Sequence, residues 1–152
     1  MNISILLPYK ENFSPTYPGA VSIFVNSMNQ ISIYKNNITV FGSTDYKKKL
    51  SNNYININLS KKILFSQSKE YVKKFYDIQK NLTTDIIEVH NRPNYIDKLT
   101  SLNSKIVLYF HNDPISMIGS KTNKERINLL NVFDKIIFNS EWSKKQYLKN
   151  LK

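Results

Sequence analysis

Two segments of this chain end in the same way. Lys105 to Pro114 reads KIVLYFHNDP and Asp85 to Pro93 reads DIIEVHNRP. Each is an apolar run, then a histidine, an asparagine, a charged residue and a proline, and the chain has only these 2 histidines. A short apolar run rich in β-branched and aromatic residues reads as a strand, here one buried on both faces. Asp113 before Pro114 reads as a helix start, because aspartate accepts orphan N–H bonds and proline gives up a donor that the first turn leaves unpaired. His111 is therefore predicted where a central strand hands over to a helix, and His90 at a second strand end. In open α/β sheets the crevice at the carboxyl ends of the strands is where ligands bind.

The rest of the chain alternates in kind. Ile3 to Leu7 is a short apolar run stopped by Pro8, and a loop with prolines at 8, 15 and 18 follows. From Ala20 to Tyr34 the apolar residues Val21, Phe24, Val25, Met28 and Ile31 have amphipathic helix spacing. Gly19 thus falls at the first strand-to-helix turn. There a missing side chain lets a ligand approach the backbone and the helix end favours an anion, unless the glycine merely makes the turn. Further strands are predicted at Ile38 to Phe41, at Tyr54 to Leu59 as a sheet edge with one wet face, and at Phe133 to Phe138. Helices are predicted from Ser66 to Leu82, from Pro93 through Leu102, from a Thr122/Glu125 capping box to Leu130, and after Ser140. Strands alternating with helices imply parallel βαβ units. With right-handed crossovers they give a doubly wound, mostly parallel α/β sheet of six to seven strands with helices on both faces.

A length of 152 residues suits one domain. No cysteine is present, which excludes disulfides and thiolate metal sites. No apolar run approaches the roughly 18 residues of a membrane helix, and Met1 to Pro8 lacks the basic start and length of a signal peptide. A cytoplasmic protein is expected, with the inner face of the membrane as the other location compatible with its charge. The formal charge of +11 invites a polyanion reading. Against it, arginine occurs only at Arg92 and Arg126, and arginine is the preferred phosphate fork. The pairs Lys61–Lys62, Lys73–Lys74 and Lys144–Lys145 are dispersed, and Lys47 to Lys49 reads as a solvated loop. Nucleic acid is not an expected partner.

The loop ending in Gly19-Ala20, the DIIEVHNRP and LYFHNDP strand ends and the FDKIIFNSEWSKK turn together resemble, in order and spacing, the N-terminal half of family 4 glycosyltransferases of the GT-B fold. The likeness is greatest to bacterial enzymes of surface-polysaccharide and lipopolysaccharide assembly, and it covers nearly the whole chain. It implies retaining transfer of a sugar from a nucleotide-diphosphate donor to a glycan or lipid-linked acceptor, with no metal and no cofactor, in a cleft between two Rossmann-like domains. By this resemblance Gly19 approaches the donor diphosphate and His111 is the catalytic residue facing sugar and acceptor. His90, Asn91 and Arg92, with Asn112 and Asp113, line the acceptor side, while Ser140 and Glu141 match a turn that is mainly structural. Imidazole chemistry is compatible with these roles: at a solution pKa of roughly 6.5, the neutral ring can bond a hydroxyl and the charged ring a phosphate. Arg92 could take a phosphate bidentately.

The chain departs from that family in having no second, donor-binding domain and no pair of glutamates eight apart. The expectation is a single acceptor-side domain, inactive by itself: a fragment, one half of an enzyme whose partner half is a separate chain, or a domain that no longer catalyses anything. The competing expectation is a non-catalytic module that holds a polyanion or an anionic membrane surface on a basic face.

Overall fold

A computed structural model describes residues 1–60 and 66–151; the Lys61–Lys62 pair lies outside them. The strands are β1 (Ile3–Leu6), β2 (Ile38–Gly42), β3 (Tyr54–Asn56), β4 (Ile86–His90), β5 (Lys105–Phe110) and β6 (Lys135–Phe138). The helices are α1 (Ala20–Ile31), α2 (Gln67–Gln79), α3 (Ile96–Leu99), α4 (Asn123–Val132) and α5 (Glu141–Leu148). The strands form one sheet in the order β3-β2-β1-β4-β5-β6, and every described pairing is parallel. This is the doubly wound α/β architecture expected from the alternation, with β1 and β4 side by side where the winding reverses.

The period of two along each strand divides the core. Leu6, Phe41, Ile87, Val89, Leu108 and Phe110 face one side, where α2, α3, α4 and α5 bring Tyr71, Phe75, Leu99, Leu129 and Tyr147 against them. Ile3, Ile5, Leu7, Ile38 and Val40 face the other, under Val21 and Val25 of α1 and Phe13 of the first loop. Among the described residues α1 is the one helix on that second side, and it lies over β1 and β2. The same face of β4, β5 and β6 is therefore poorly covered: Ile86, Glu88, Val107, Tyr109 and Ile137 are all half-buried. This corrects the expectation that the β5 run is buried on both faces, since only Ile106, Leu108 and Phe110 are buried.

Several boundaries move for local reasons. Helix α1 stops at Ile31 rather than Tyr34, because Ser32 turns extended (φ −67, ψ 137) and its hydroxyl accepts the Tyr34 N–H at 3.1 Å, a serine turn that competes with the helix. Strand β3 ends at Asn56, and Ile55 is exposed at the sheet edge instead of facing inward; Tyr54 packs inward instead, stacked on Phe13 at 5.1 Å. Pro93 opens a 3-10 turn before the short α3, and Pro114 opens only a 3-10 turn, with Asp113 Oδ1 accepting the Ile115 N–H. Helix α2 is shorter than Ser66 to Leu82, and Ser66 sits at its N-cap without a side-chain capping bond. The Thr122/Glu125 capping box forms as expected, and Ser140 caps α5 through the Ser143 N–H. Among the described residues no helix is long and apolar enough to cross a membrane.

Candidate functional site

Parallel pairing sets His90 of β4 opposite Tyr109 of β5, so the two histidine motifs end side by side. Beyond the last ladder bond, Asn91 adopts a left-handed backbone (φ 53), which asparagine tolerates better than most residues. Its own N–H donates to the Tyr109 carbonyl at 2.9 Å. Its side-chain Oδ1 accepts the N–H of His111 at 2.7 Å and of Asn112 at 3.3 Å. From the other flank, Asn139 at the end of β6 donates its Nδ2 to the His111 carbonyl at 2.7 Å. Both main-chain groups of His111 are thus held by asparagine side chains from the neighbouring strand ends.

The rings meet as well. His90 Nδ1 lies 2.8 Å from His111 Nε2, and the His90 Nε2 lies 3.4 Å from Glu88 Oε2. Tyr109 is stacked on His90 (4°, 5.4 Å between centroids) and on His111 (20°, 4.5 Å), while Phe24 of α1 meets His111 edge-on at 4.9 Å. His90 is buried and His111 half-buried. Burial, then the neighbouring His90, pushes the His111 imidazole down to about 4. His111 is consequently neutral at physiological pH in the ligand-free chain, and its cationic form would need an anion beside it to offset the burial. Its neutral ring can accept or donate one hydrogen bond to a hydroxyl.

The other predicted residues divide by role. Arg92 donates Nη1 to the Asn91 carbonyl at 2.8 Å, bracing the turn. Asp113 caps the following turn and Asn112 is exposed beside His111. Ser140 and Glu141 stand at the start of α5, on the turn after Asn139. Gly19 is at the N-cap of α1 with ordinary backbone (φ −74), and the Glu11 carboxylate fills the space where a Cβ would stand. Oε1 of that carboxylate accepts the Ser22 N–H at 3.0 Å. The chain's own carboxylate therefore occupies the anion-favouring end of α1, and a diphosphate there would have to displace it.

Two hollows flank these residues. Tyr9, Asn12, Thr44, Asn56, Asn58 and Gln67, at the carboxyl ends of β1, β2 and β3, line a cavity of about 560 Å³ rich in amides and hydroxyls. An apolar groove of about 550 Å³ runs between α1 and the open face of the sheet, past Phe24, Met28, Ile86, Glu88, His90 and Tyr109. His90 thus turns toward this groove rather than toward the polar cavity. Glu88, Tyr109, Phe24 and Asn139 are members of the cluster that the sequence reading missed. Glu88 was legible, because an acid inside an apolar run two residues before His90 shares its face by the strand period. Phe24 and Asn139 reach the cluster only through tertiary packing. No cluster of three metal-ligating side chains occurs among the described residues. No protein-family model, curated protein or solved structure matches the chain.

Proposed function

We propose that this chain is the acceptor-side domain of a glycosyltransferase, with the edge formed by His111 and the exposed amides of Asn112 and Asn139 facing the hydroxyls of a glycan or lipid-linked acceptor. The observation that carries the reading is the neutral, half-buried His111 ring, fixed at the carboxyl end of a parallel strand by two asparagines and by His90. A neutral imidazole beside exposed amides suits a polyhydroxylated ligand. The amide-lined cavity beyond β1, β2 and β3 extends the same chemistry along the edge. His90, Asn91, Arg92 and Asp113 support this edge rather than touch the ligand. The nucleotide-diphosphate sugar would come from a second domain, with Gly19 reached only after Glu11 swings away. A polyanion-binding module is the weaker reading, since arginine, the preferred phosphate fork, occurs only at Arg92 and Arg126, and both guanidiniums are engaged by backbone carbonyls.

The test is a titration of the isotope-labelled chain with a saccharide panel and with nucleotide sugars, followed by amide NMR. Saccharide-dependent shifts at His111, Asn112 and Asn139, lost in His111→Ala, are expected. An edge that responds to no saccharide, or sugar transfer by the chain acting alone, would overturn the proposal.

A further inference from the structure

Glu88 and His90 are two residues apart on β4 and so project from the same face. That face is the open one, where Glu88 is the acid on an otherwise apolar floor. An ionised carboxylate can only accept hydrogen bonds. Its partner among the described residues is His90 Nε2 at 3.4 Å, longer than an ordinary hydrogen bond, so the contact acts mainly as a charge facing an N–H dipole. The proton of a neutral His90 is therefore favoured on Nε2, which leaves its Nδ1 bare. Nδ1 sits 2.8 Å from His111 Nε2, and a contact that short needs one proton between the two nitrogens. With His90 Nδ1 bare, the proton must belong to His111 Nε2. His111 Nδ1 is then an unprotonated acceptor, and it takes no hydrogen bond among the described residues. Tyr109 and Phe24 hold both rings in place, so the tautomer and not the ring position is what remains to be chosen.

From this chain of contacts we infer that Glu88, acting through His90, fixes His111 as the tautomer whose Nδ1 accepts a hydrogen bond. Glu88 and His90 are positioning residues. The inference rests on His111 being the ligand-facing ring, and it narrows what that ring engages. An Nδ1 acceptor takes an O–H or N–H donor, such as a sugar hydroxyl, and turns away carbonyl and phosphate oxygens.

The test is long-range proton–nitrogen NMR of the histidine-labelled chain at about pH 8, above the ordinary imidazole range. The parent chain should show His111 protonated at Nε2 with Nδ1 bare, and a nitrogen–nitrogen coupling across the bond to His90 Nδ1. Glu88→Ala, at a half-exposed position on the open face, should release this preference, so that the Nδ1-protonated form of His111 becomes populated. A parent chain in which His111 carries its proton on Nδ1 overturns the inference without any variant. So does a folded Glu88→Ala in which the tautomer ratio is unchanged. Neither readout uses saccharide or transfer. Correct tautomers with no saccharide response would sink the proposed function alone, and saccharide binding with the opposite tautomer would sink this inference alone.

Discussion

The side chain of Asn91 holds the backbone of His111, its Oδ1 accepting that N–H at 2.7 Å across the gap between two parallel strand ends. Asn91 also carries a left-handed φ of 53. Asn91→Ala removes the acceptor for two main-chain donors and places a Cβ-bearing residue without a local hydrogen bond in that conformation, so a loss of about 2–3 kcal/mol is expected. Urea unfolding measures it. Asn91→Gly should recover the backbone part alone, and Asn91→Asp, which keeps the acceptor, should recover most of the rest.

Glu11 and Gly19 make a second pair whose parts are interdependent. The Glu11 carboxylate stands in for a side-chain cap at α1, and the missing Cβ of Gly19 is what admits it. Glu11→Ala is expected to cost about 1 kcal/mol, as for the loss of a cap and of a charge at a helix end. Gly19→Ala pushes the same carboxylate aside, so the double variant should be much less destabilised than the sum of the singles. A denaturation double-mutant cycle tests this; additive losses would show that the two residues act independently.

His111 gives stability a pH dependence of definite sign. Its folded value, about 4, lies below the ordinary 6.5, so between these values the unfolded chain binds the proton more readily. The contribution is fully present above about pH 6.5 and is lost as pH falls toward 4. Because the ring is only half-buried, the slope should be a fraction of the ~1.4 kcal/mol per pH unit of one fully linked proton. Urea midpoints between pH 7 and pH 4 should fall less steeply in His111→Gln than in the parent.

Arg126 has no carboxylate partner among the described residues. It is 3% exposed, and its guanidinium donates to the carbonyls of Ser120, Lys121 and Lys149 and to Asn123 Oδ1, tying the end of α5 to the loop before α4. Arg126→Met leaves those acceptors unpaired and is expected to cost about 2–4 kcal/mol. Arg126→Lys, which cannot reach them as a fork, should recover little of this. Thermal unfolding of the two variants is the measurement.

Much of the architecture could be read in the sequence because both periods were clear: the apolar runs before His90 and His111, and the i, i+3, i+4 spacing from Val21 to Met28. The capping residues Thr122 and Ser140 were equally plain. What could not be read depends on which helix covers which strand. Val107 and Tyr109 look like core residues in KIVLYF, yet α1 is committed to β1 and β2 and leaves them half-buried. Ile55 follows the alternation but lies on an edge strand with no further strand beyond it among the described residues. At the site, strand-end position brought the two histidines together in the reading, whereas the asparagine clamps and the lowered His111 basicity follow from contacts between segments distant in sequence.

The lopsided covering of the sheet has a colloidal consequence. A chain of formal charge +11 repels its copies, while the strip formed by Ile86, Tyr109, Ile137 and the outward side of α1 attracts them. Repulsion is screened over a Debye length of about 8 Å at physiological ionic strength and about 3 Å at 1 M, whereas attraction between apolar surfaces is not weakened by added salt. Raising sodium chloride should therefore shift purified material reversibly toward larger particles in light scattering. Ile137→Lys, which charges the strip, should keep it monodisperse.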